Sequence, residues 1–462
     1  MDALKTDLYQ LTMAAGYFHT GMAGKMATCE MFVRRLPKRR RYLVAMGVER
    51  VLSYLEGLRF TDDQIAYLSR VPALRDAMTP AFQGYLRELR FTGDVWVVPE
   101  GTVVTANEPF LRVRAPIIEA QLLETFALSS INHATVVASK AARIVRAAGS
   151  AEVVEFGSRR THPEAAVDAA RSACAVGCAG TSNLEAGMRF GLPVVGTAAH
   201  MWTMAHPSEE SAFENYVRVF PSAAILLIDT YDTEIGAERA ARIARDKLLG
   251  VRLDSGDLGA LSRSVRTILD EAGLPSTKIV ASGDLNEYKI EALRTAGAPI
   301  DIYGVGTDLV TSIDAPSLGG VYKLVEIDGS PIAKFSEGKA TLPGAHQVYR
   351  FRGEDGSIER DLIALDTESP ESLAAEGSAR LPEPLLVQAF QGGRRVREAE
   401  ALDAIRARAR RDLDALPADL HSLEEQGPVL TASLSARLQA LIEEVRARVA
   451  SPAAAAPEGE GA

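Results

Sequence analysis

The phrase Ser-Gly-Asp-Leu occurs twice, at 255–258 in "VRLDSGDLGALSRSVRTILDEAG" and at 282–285 in "KIVASGDLNEYKIEALRTAG". In each copy an apolar segment leads into the phrase. An amphipathic stretch follows and is stopped by a glycine, Gly273 or Gly297. A repeat 27 residues long that reads strand, turn, helix is a βα unit. Asp257 and Asp284 are placed to cap the helices, and the closing glycines suit left-handed C-caps. A related copy, Gly306-Thr307-Asp308-Leu309, follows "IDIYGV".

The same grammar extends in both directions. "AEVVEF" (151–156), "CAVGCAG" (174–180), "PVVG" (193–196) and "AAILLID" (223–229) each lead into a polar turn. A helix from about Glu234 to Leu249 is expected after the last of these, and "GVYKLVEI" (320–327) is expected to close the series. Apolar strands alternating with helices predict a parallel α/β structure. About seven of them with no topological reversal favour an irregular (β/α) barrel at 136–324. The flanks mix strands and helices. Residues 1–135 read as an N-terminal α+β domain. Residues 325–397 read as a β-rich segment packing with it, with "GEDG" as a hairpin turn. Residues 398–450 read as charged C-terminal helices and 451–462 as a disordered tail.

Every polar turn falls at a strand's C-terminal end. In an α/β barrel those ends converge on one mouth, where active sites are built. The turns carry Phe156, Arg159 and Arg160; Thr181 and Ser182; His200; Asp229; Arg252 and Asp254; Gly283 and Asp284; and Gly304, Gly306 and Thr307. One such turn is ordinary cap and turn chemistry. Seven in succession point to a site. Gly-Ser/Thr turns at helix N-termini bind anions, and guanidinium groups add bidentate contacts, so phosphate is the natural ligand. Asp229, Asp254 and Asp284 suit Mg²⁺ held jointly with phosphate oxygens. Histidine beside carboxylates and phosphate-binding turns suggests a general base, a phosphate ligand or a phosphorylated nucleophile.

Composition narrows the classes. The formal net charge is −10 and is spread along the chain, which argues against a nucleic-acid partner. No run approaches a membrane span, and "MDALKTDLYQLTMAAGY" lacks the apolar core of a signal peptide, so a cytoplasmic enzyme is expected. Cys29, Cys174 and Cys178 form no zinc pattern and read as buried residues of a reducing compartment. A metal-dependent hydrolase would need clustered histidines, and there is no H-x-H. A Schiff-base aldolase would need a lysine at a strand end, and Lys247 and Lys278 fall before theirs. There is no Walker-type loop.

The chain resembles the nicotinate phosphoribosyltransferases. "TDLYQLTMAAGY", "FVRRLP", "EFGSRR", "GTSN", "GTAAH", "DTYDT", "VRLDSGDL", "SGDLNEYKI", "YGVGTDL", "LGGVYKLVE" and "LPG" occur in that family's order, over roughly residues 4–350. The resemblance implies transfer of the phosphoribosyl group of 5-phosphoribosyl 1-pyrophosphate to nicotinate. It also implies ATP hydrolysis coupled through a phosphohistidine at His200, Mg²⁺, and a homodimer with its active site at the subunit interface. By the same resemblance Tyr9, from a neighbouring subunit, and Phe156 sandwich the pyridine ring. Arg159 and Arg252 lie near the base and the phosphoribosyl group, and a neutral Ser182 suits the nicotinate anion. Asp229 orients His200, and Asp254 contacts ribose or metal. Gly283, Asp284, Gly304, Gly306 and Thr307 cradle ribose and phosphate, and Arg34, Lys323 and Lys339 reach phosphates. His206 and His346 depart from the family's usual aromatic residue and lysine. The competing readings are a nicotinamide- or quinolinate-using transferase and a non-catalytic nucleotide-sensing barrel.

Overall fold

A computed structural model describes residues 3–335, 341–374 and 380–450. Six parallel strands form one curled sheet. Their order in space is Gly180–Thr181, Glu152–Glu155, Ile302–Val305, Lys278–Ala281, Leu248–Leu253, Ala224–Leu227. Beyond Gly180–Thr181, Val194 adds a single parallel bridge to Thr181. Apart from the pairing of Glu152–Glu155 with Ile302–Val305, which joins an early strand to the last one as closure does in a barrel, neighbours in space are neighbours in the chain.

The expected seven-stranded closure is not reached. No ladder joins Val194 to Ala224–Leu227 among the described residues, so the sheet is a half-barrel. Pro193 has no N–H to donate, and the Leu192–Val195 segment spends its bonds on Thr181, which donates to the Pro193 carbonyl and accepts from Val195. Gly320–Ile327 does not close the series either. It runs antiparallel to Met26–Val33. Between Val305 and Gly320 lies only the four-residue helix Thr307–Val310, too little for the crossover a parallel strand requires.

Two local expectations also change. The helix after Asp229 is Thr233–Ala244; Arg245 turns to φ +49°, and Leu248-Leu249 already belong to the next strand. "CAVGCAG" yields only the two-residue strand Gly180–Thr181, because the helix Pro163–Ala175 absorbs Cys174. The two Ser-Gly-Asp-Leu copies differ as well. Asp257 caps Leu258–Glu271, accepting from the Ala260 N–H at 3.0 Å. In the second copy Gly283 and Asp284 both turn left-handed, at φ +98° and +46°, so the helix starts later and Asn286 caps Glu287–Thr295. Asp284, expected as a cap, is released from that duty.

The flanks share a seven-stranded antiparallel sheet. Met26–Val33, Asp94–Val97 and Pro109–Pro116 come from the N-terminal side; Gly320–Ile327, Ser330–Pro331, Val387–Gln391 and Arg394–Arg395 come from after the half-barrel. His346–Arg352 and Ile358–Leu365 form a hairpin through Gly353–Gly356, inside a separate four-stranded sheet. The tail 451–462 lies outside the described residues. The long helix Glu124–Ala148 is buried along most of its length and packs on the helices Pro163–Ala175 and Glu287–Thr295. All three cysteines are buried and unpaired, and burial pushes the thiols of Cys29 and Cys174 up to about 12.

Candidate active site

The strand C-terminal ends open into a cavity of about 460 Å³. Phe156, Ser182, His200, Leu227, Arg252, Asp254, Ser282, Asp284, Gly304 and Thr307 line it, so every strand of the half-barrel and the Val194 segment contribute. Two glycines are required by space. A Cβ on Gly283 would lie 2.2 Å from the Asp254 carbonyl oxygen, and one on Gly304 would lie 2.5 Å from the Phe156 ring.

His200 is the first residue of the helix His200–Met204, and its side chain is 39% exposed. The ring stands among three partners: Nδ1 is 3.2 Å from Thr230 Oγ1, while Nε2 is 4.0 Å from Asp229 Oδ1 and 3.9 Å from Asp254 Oδ2. Asp229 is buried. Its Oδ2 accepts from the Asp254 N–H at 3.0 Å and the Ser255 hydroxyl at 2.6 Å. Its Oδ1 has no hydrogen-bond partner among the described residues. A buried, half-satisfied carboxylate costs free energy unless something completes it, and the imidazole is the group in reach.

Arg252 donates to Ser282 Oγ at 2.8 Å, Thr197 Oγ1 at 3.0 Å and Asp254 Oδ1 at 2.6 Å. Its guanidinium also lies 5.7 Å from the Phe156 ring centroid. Burial pushes the Asp254 carboxyl up, but the Ser282 hydroxyl, Arg252 and His200 together outweigh it and hold it below its ordinary value. The centre thus keeps an ionised carboxylate, a fixed guanidinium and an accessible imidazole side by side.

The carboxylate beneath the pocket was not singled out by sequence. Glu155 accepts from the Gly157 N–H and, at 2.5 Å, from the Thr181 hydroxyl. Thr181 in turn accepts from the Asn183 N–H, and Asn183 donates to Ser158 Oγ at 3.0 Å. Two loops of the mouth are tied together under Phe156. Burial pushes the Glu155 carboxyl up, against the pull of those hydrogen bonds. An acid directly before a Phe-Gly turn was the available signal.

The remaining expected residues divide. Arg159 and Arg160 line the rim and are exposed. Thr181 is fully buried and turned to Glu155, away from the cavity it was expected to serve. Tyr9, Arg34 and Lys323 do not line this cavity. Tyr9 sits 46% exposed on the helix Leu8–His19, and Lys323 borders a second cavity with Tyr17, Cys29 and Glu124. Arg34 keeps a buried Nε without a hydrogen-bond partner among the described residues. Lys339 lies outside the described residues. His206 packs on Trp202 at 4.6 Å between ring centroids, and His346 is buried with Nδ1 2.6 Å from Glu30 Oε2. Both departures from the family pattern are thus accommodated by local partners.

Fold and pocket together define an α/β protein with a cavity lined by arginines, carboxylates and glycine turns at the mouth of a half-barrel. Residues 4–132 match the model of the nicotinate phosphoribosyltransferase N-terminal domain, and 151–347 match that of the nicotinate phosphoribosyltransferase family. The chain belongs to the nicotinate phosphoribosyltransferase family. It is 45% identical over 443 residues to nicotinate phosphoribosyltransferase pncB2 of Mycobacterium tuberculosis, covering 94% of this chain and 92% of that protein. It is 43% identical over 380 residues to the nicotinate phosphoribosyltransferase of Bacillus subtilis, covering 79% and 76%. The crystal structure of human nicotinic acid phosphoribosyltransferase superposes with a TM-score of 0.83 at 29% identity, over 95% of this chain and 99% of that one.

Proposed function

We propose that the cavity joins nicotinate to the ribosyl carbon of 5-phosphoribosyl 1-pyrophosphate, releasing pyrophosphate and giving nicotinate mononucleotide. The names of its relatives and the combination of guanidinium, glycine turns and carboxylates support this reading. The pyridine nitrogen forms the new bond to C1′ as the C1′–O bond to pyrophosphate breaks. Positive charge gathers on the ribose and negative charge on the leaving group. Arg252 and the rim guanidiniums Arg159 and Arg160 meet the negative charge with preorganised donors, and the turns at 283–284 and 304–307 hold the sugar and phosphate in line. Phe156 gives the ring a face to stack on. Ser182 leaves the nicotinate carboxylate unopposed by charge.

Coupling to ATP rests on His200. The imidazole attacks the terminal phosphorus of ATP, the bond to ADP breaks, and water later hydrolyses the phosphoryl group. Asp229 orients the ring and stabilises its cationic form. The observation that carries this is the unpartnered buried Oδ1 of Asp229 standing 4.0 Å from the exposed imidazole. Among the described residues no three His, Cys, Asp or Glu side chains gather as a metal cage. Mg²⁺ held by one or two carboxylates and substrate phosphate oxygens needs none, and Asp254 and Asp284 would hold it. When bound it would neutralise charge on the departing pyrophosphate. No described helix is long and apolar enough to cross a membrane, which suits an enzyme acting on soluble substrates in the cytoplasm.

His200→Ala should abolish coupling to ATP and leave a slow ATP-independent transfer. Product formed per ADP, measured with and without ATP, reads both. A variant that couples as well as the parent sinks the phosphohistidine. Competition among nicotinate, nicotinamide and quinolinate separates the neighbouring transferases. No product from any of them would favour the sensing barrel.

A further inference from the structure

A concentration of basic side chains lies away from the catalytic cavity. A cavity of about 690 Å³ is lined by six arginines, Arg41, Arg143, Arg146, Arg294, Arg406 and Arg410, against two carboxylates, Glu291 and Asp414. It sits at the other end of the half-barrel. Gly149 and Gly177 on its wall directly precede the strands Glu152–Glu155 and Gly180–Thr181, whose far ends carry Phe156 and Ser182. Four residues of strand, roughly 13 Å, separate the two faces.

Most of this charge is not neutralised. Arg143 pairs with Glu287 at 3.0 Å and Arg410 with Asp414 at 3.6 Å. Arg41, Arg146, Arg294 and Arg406 have no carboxylate within ion-pair distance among the described residues. Arg294 and Arg406 are instead pinned by backbone carbonyls, of Ala147 at 2.9 Å and Cys174 at 3.0 Å. Arg41 is only 4% exposed; its Nη2 donates to the Glu424 and Gln426 carbonyls while its Nε is buried without a hydrogen-bond partner among the described residues. Guanidiniums fixed by carbonyls keep their full charge, and a cavity concentrates their field. In a chain of formal net charge −10 that is the reverse of the average surface.

The rest of the wall is apolar: Tyr42, Val145, Val176, Leu413 and Leu420. His421 stands there uncharged at neutral pH, because burial and then Arg146 push it down to about 4. The volume falls within the ordinary range for small-molecule sites, and a mixed apolar and cationic lining selects an amphipathic anion.

We infer that this basin is a second ligand site, one that binds a phosphate-bearing organic anion of nucleotide size between the helix Glu124–Ala148 and the C-terminal helix Leu402–Asp414. The inference does not depend on the catalytic reading. The test uses ADP as probe on the full chain carrying His200→Ala and Arg252→Ala, so that the catalytic cavity is disabled. Calorimetry should still show one ADP site, weakened as salt rises. Adding Arg146→Glu should weaken it at least tenfold, Arg410→Glu by less, and Arg146→Lys should restore most of it. Arg146 is exposed and bonds no other side chain among the described residues, so an unchanged melting temperature is expected for its variants. Loss of all ADP binding in the disabled chain overturns the proposal. So does binding indifferent to Arg146→Glu, or inorganic pyrophosphate binding as tightly as ADP.

Discussion

On the proposed function, the single hydroxyl of Ser182 is the group that would discriminate among pyridines. Ser182 lines the cavity beside the rim guanidiniums, and a carboxylate in its place would face the carboxylate of nicotinate. Ser182→Asp should raise the KM for nicotinate about tenfold, near 1.4 kcal/mol, with a smaller change in kcat. Steady-state kinetics with nicotinate varied at saturating pyrophosphate donor measures it, and an unmoved KM would put Ser182 away from the ring. His200, Arg252 and Asp254 were legible because each lies at, or a few residues beyond, the C-terminal end of an apolar segment, where the turns of the mouth gather. Glu155 was not. An acid inside a strand reads as an alternation error until the Thr181 hydroxyl and the Gly157 N–H are seen on its two oxygens. Thr181 was misplaced for the same reason: the sequence puts it in a mouth turn, and only the fold shows which side of that turn is buried.

At the scale of elements, buried charge does the joining. Lys140 and Arg143 on the long helix Glu124–Ala148 pair with Glu287, the first residue of the helix after the Gly283–Asp284 turn. Lys140 also reaches Asp314 at 3.0 Å, and Asp314 takes Arg40 at 2.6 Å, beyond the short helix that begins at Thr307. Two turns of the active site are thereby seated on one helix. Breaking such a network strands a buried cation, which costs more than the pair itself contributes. Asp314→Asn should therefore destabilise the protein by about 3 kcal/mol. It should also lower the melting temperature more than Arg87→Ala, which removes an exposed pair with Asp62. Burial pushes the Asp314 carboxyl up, but Arg40 and Lys140 prevail and hold it well below the usual carboxylate range. Its folded pKa lies under its unfolded one, so its contribution is complete above about pH 4 and fades as pH falls further. The melting temperature of the parent should fall with acid more steeply than that of the Asn variant. A pattern of strands and helices could not reveal this network, because its members are 274 residues apart at their widest. Nor could it show that Gly320–Ile327 turns back to Met26–Val33, since an apolar strand reads alike in a parallel and an antiparallel sheet.

At the scale of the whole molecule, the position of Tyr9 bears on the proposed homodimer. Tyr9 was expected against the pyridine ring, yet it stands exposed on the helix Leu8–His19 and does not line the catalytic cavity. Leu8 and Met13 are exposed beside it. Near the mouth, Leu184, Met188, Met201 and Met204 are exposed as well, Met188 by 82%. These exposed apolar side chains support the proposal that a second copy of the chain covers them. A two-fold dimer pairs the same two surfaces twice, so the first helix of each subunit would close the mouth of the other. Mixing two inactive variants tests this directly. Tyr9→Ala keeps a sound cavity and loses the donated ring; Arg252→Ala keeps the ring and loses the cavity. In a hybrid dimer one site receives both faults and the other receives neither. Random re-assortment of equal amounts puts half the dimers in hybrid form, each with one of two sites intact, so about a quarter of parental activity should return. If Tyr9 served its own chain, each site of the hybrid would keep one fault and no activity would appear on mixing. That result would leave the pocket residues in place and remove the second subunit from the active site.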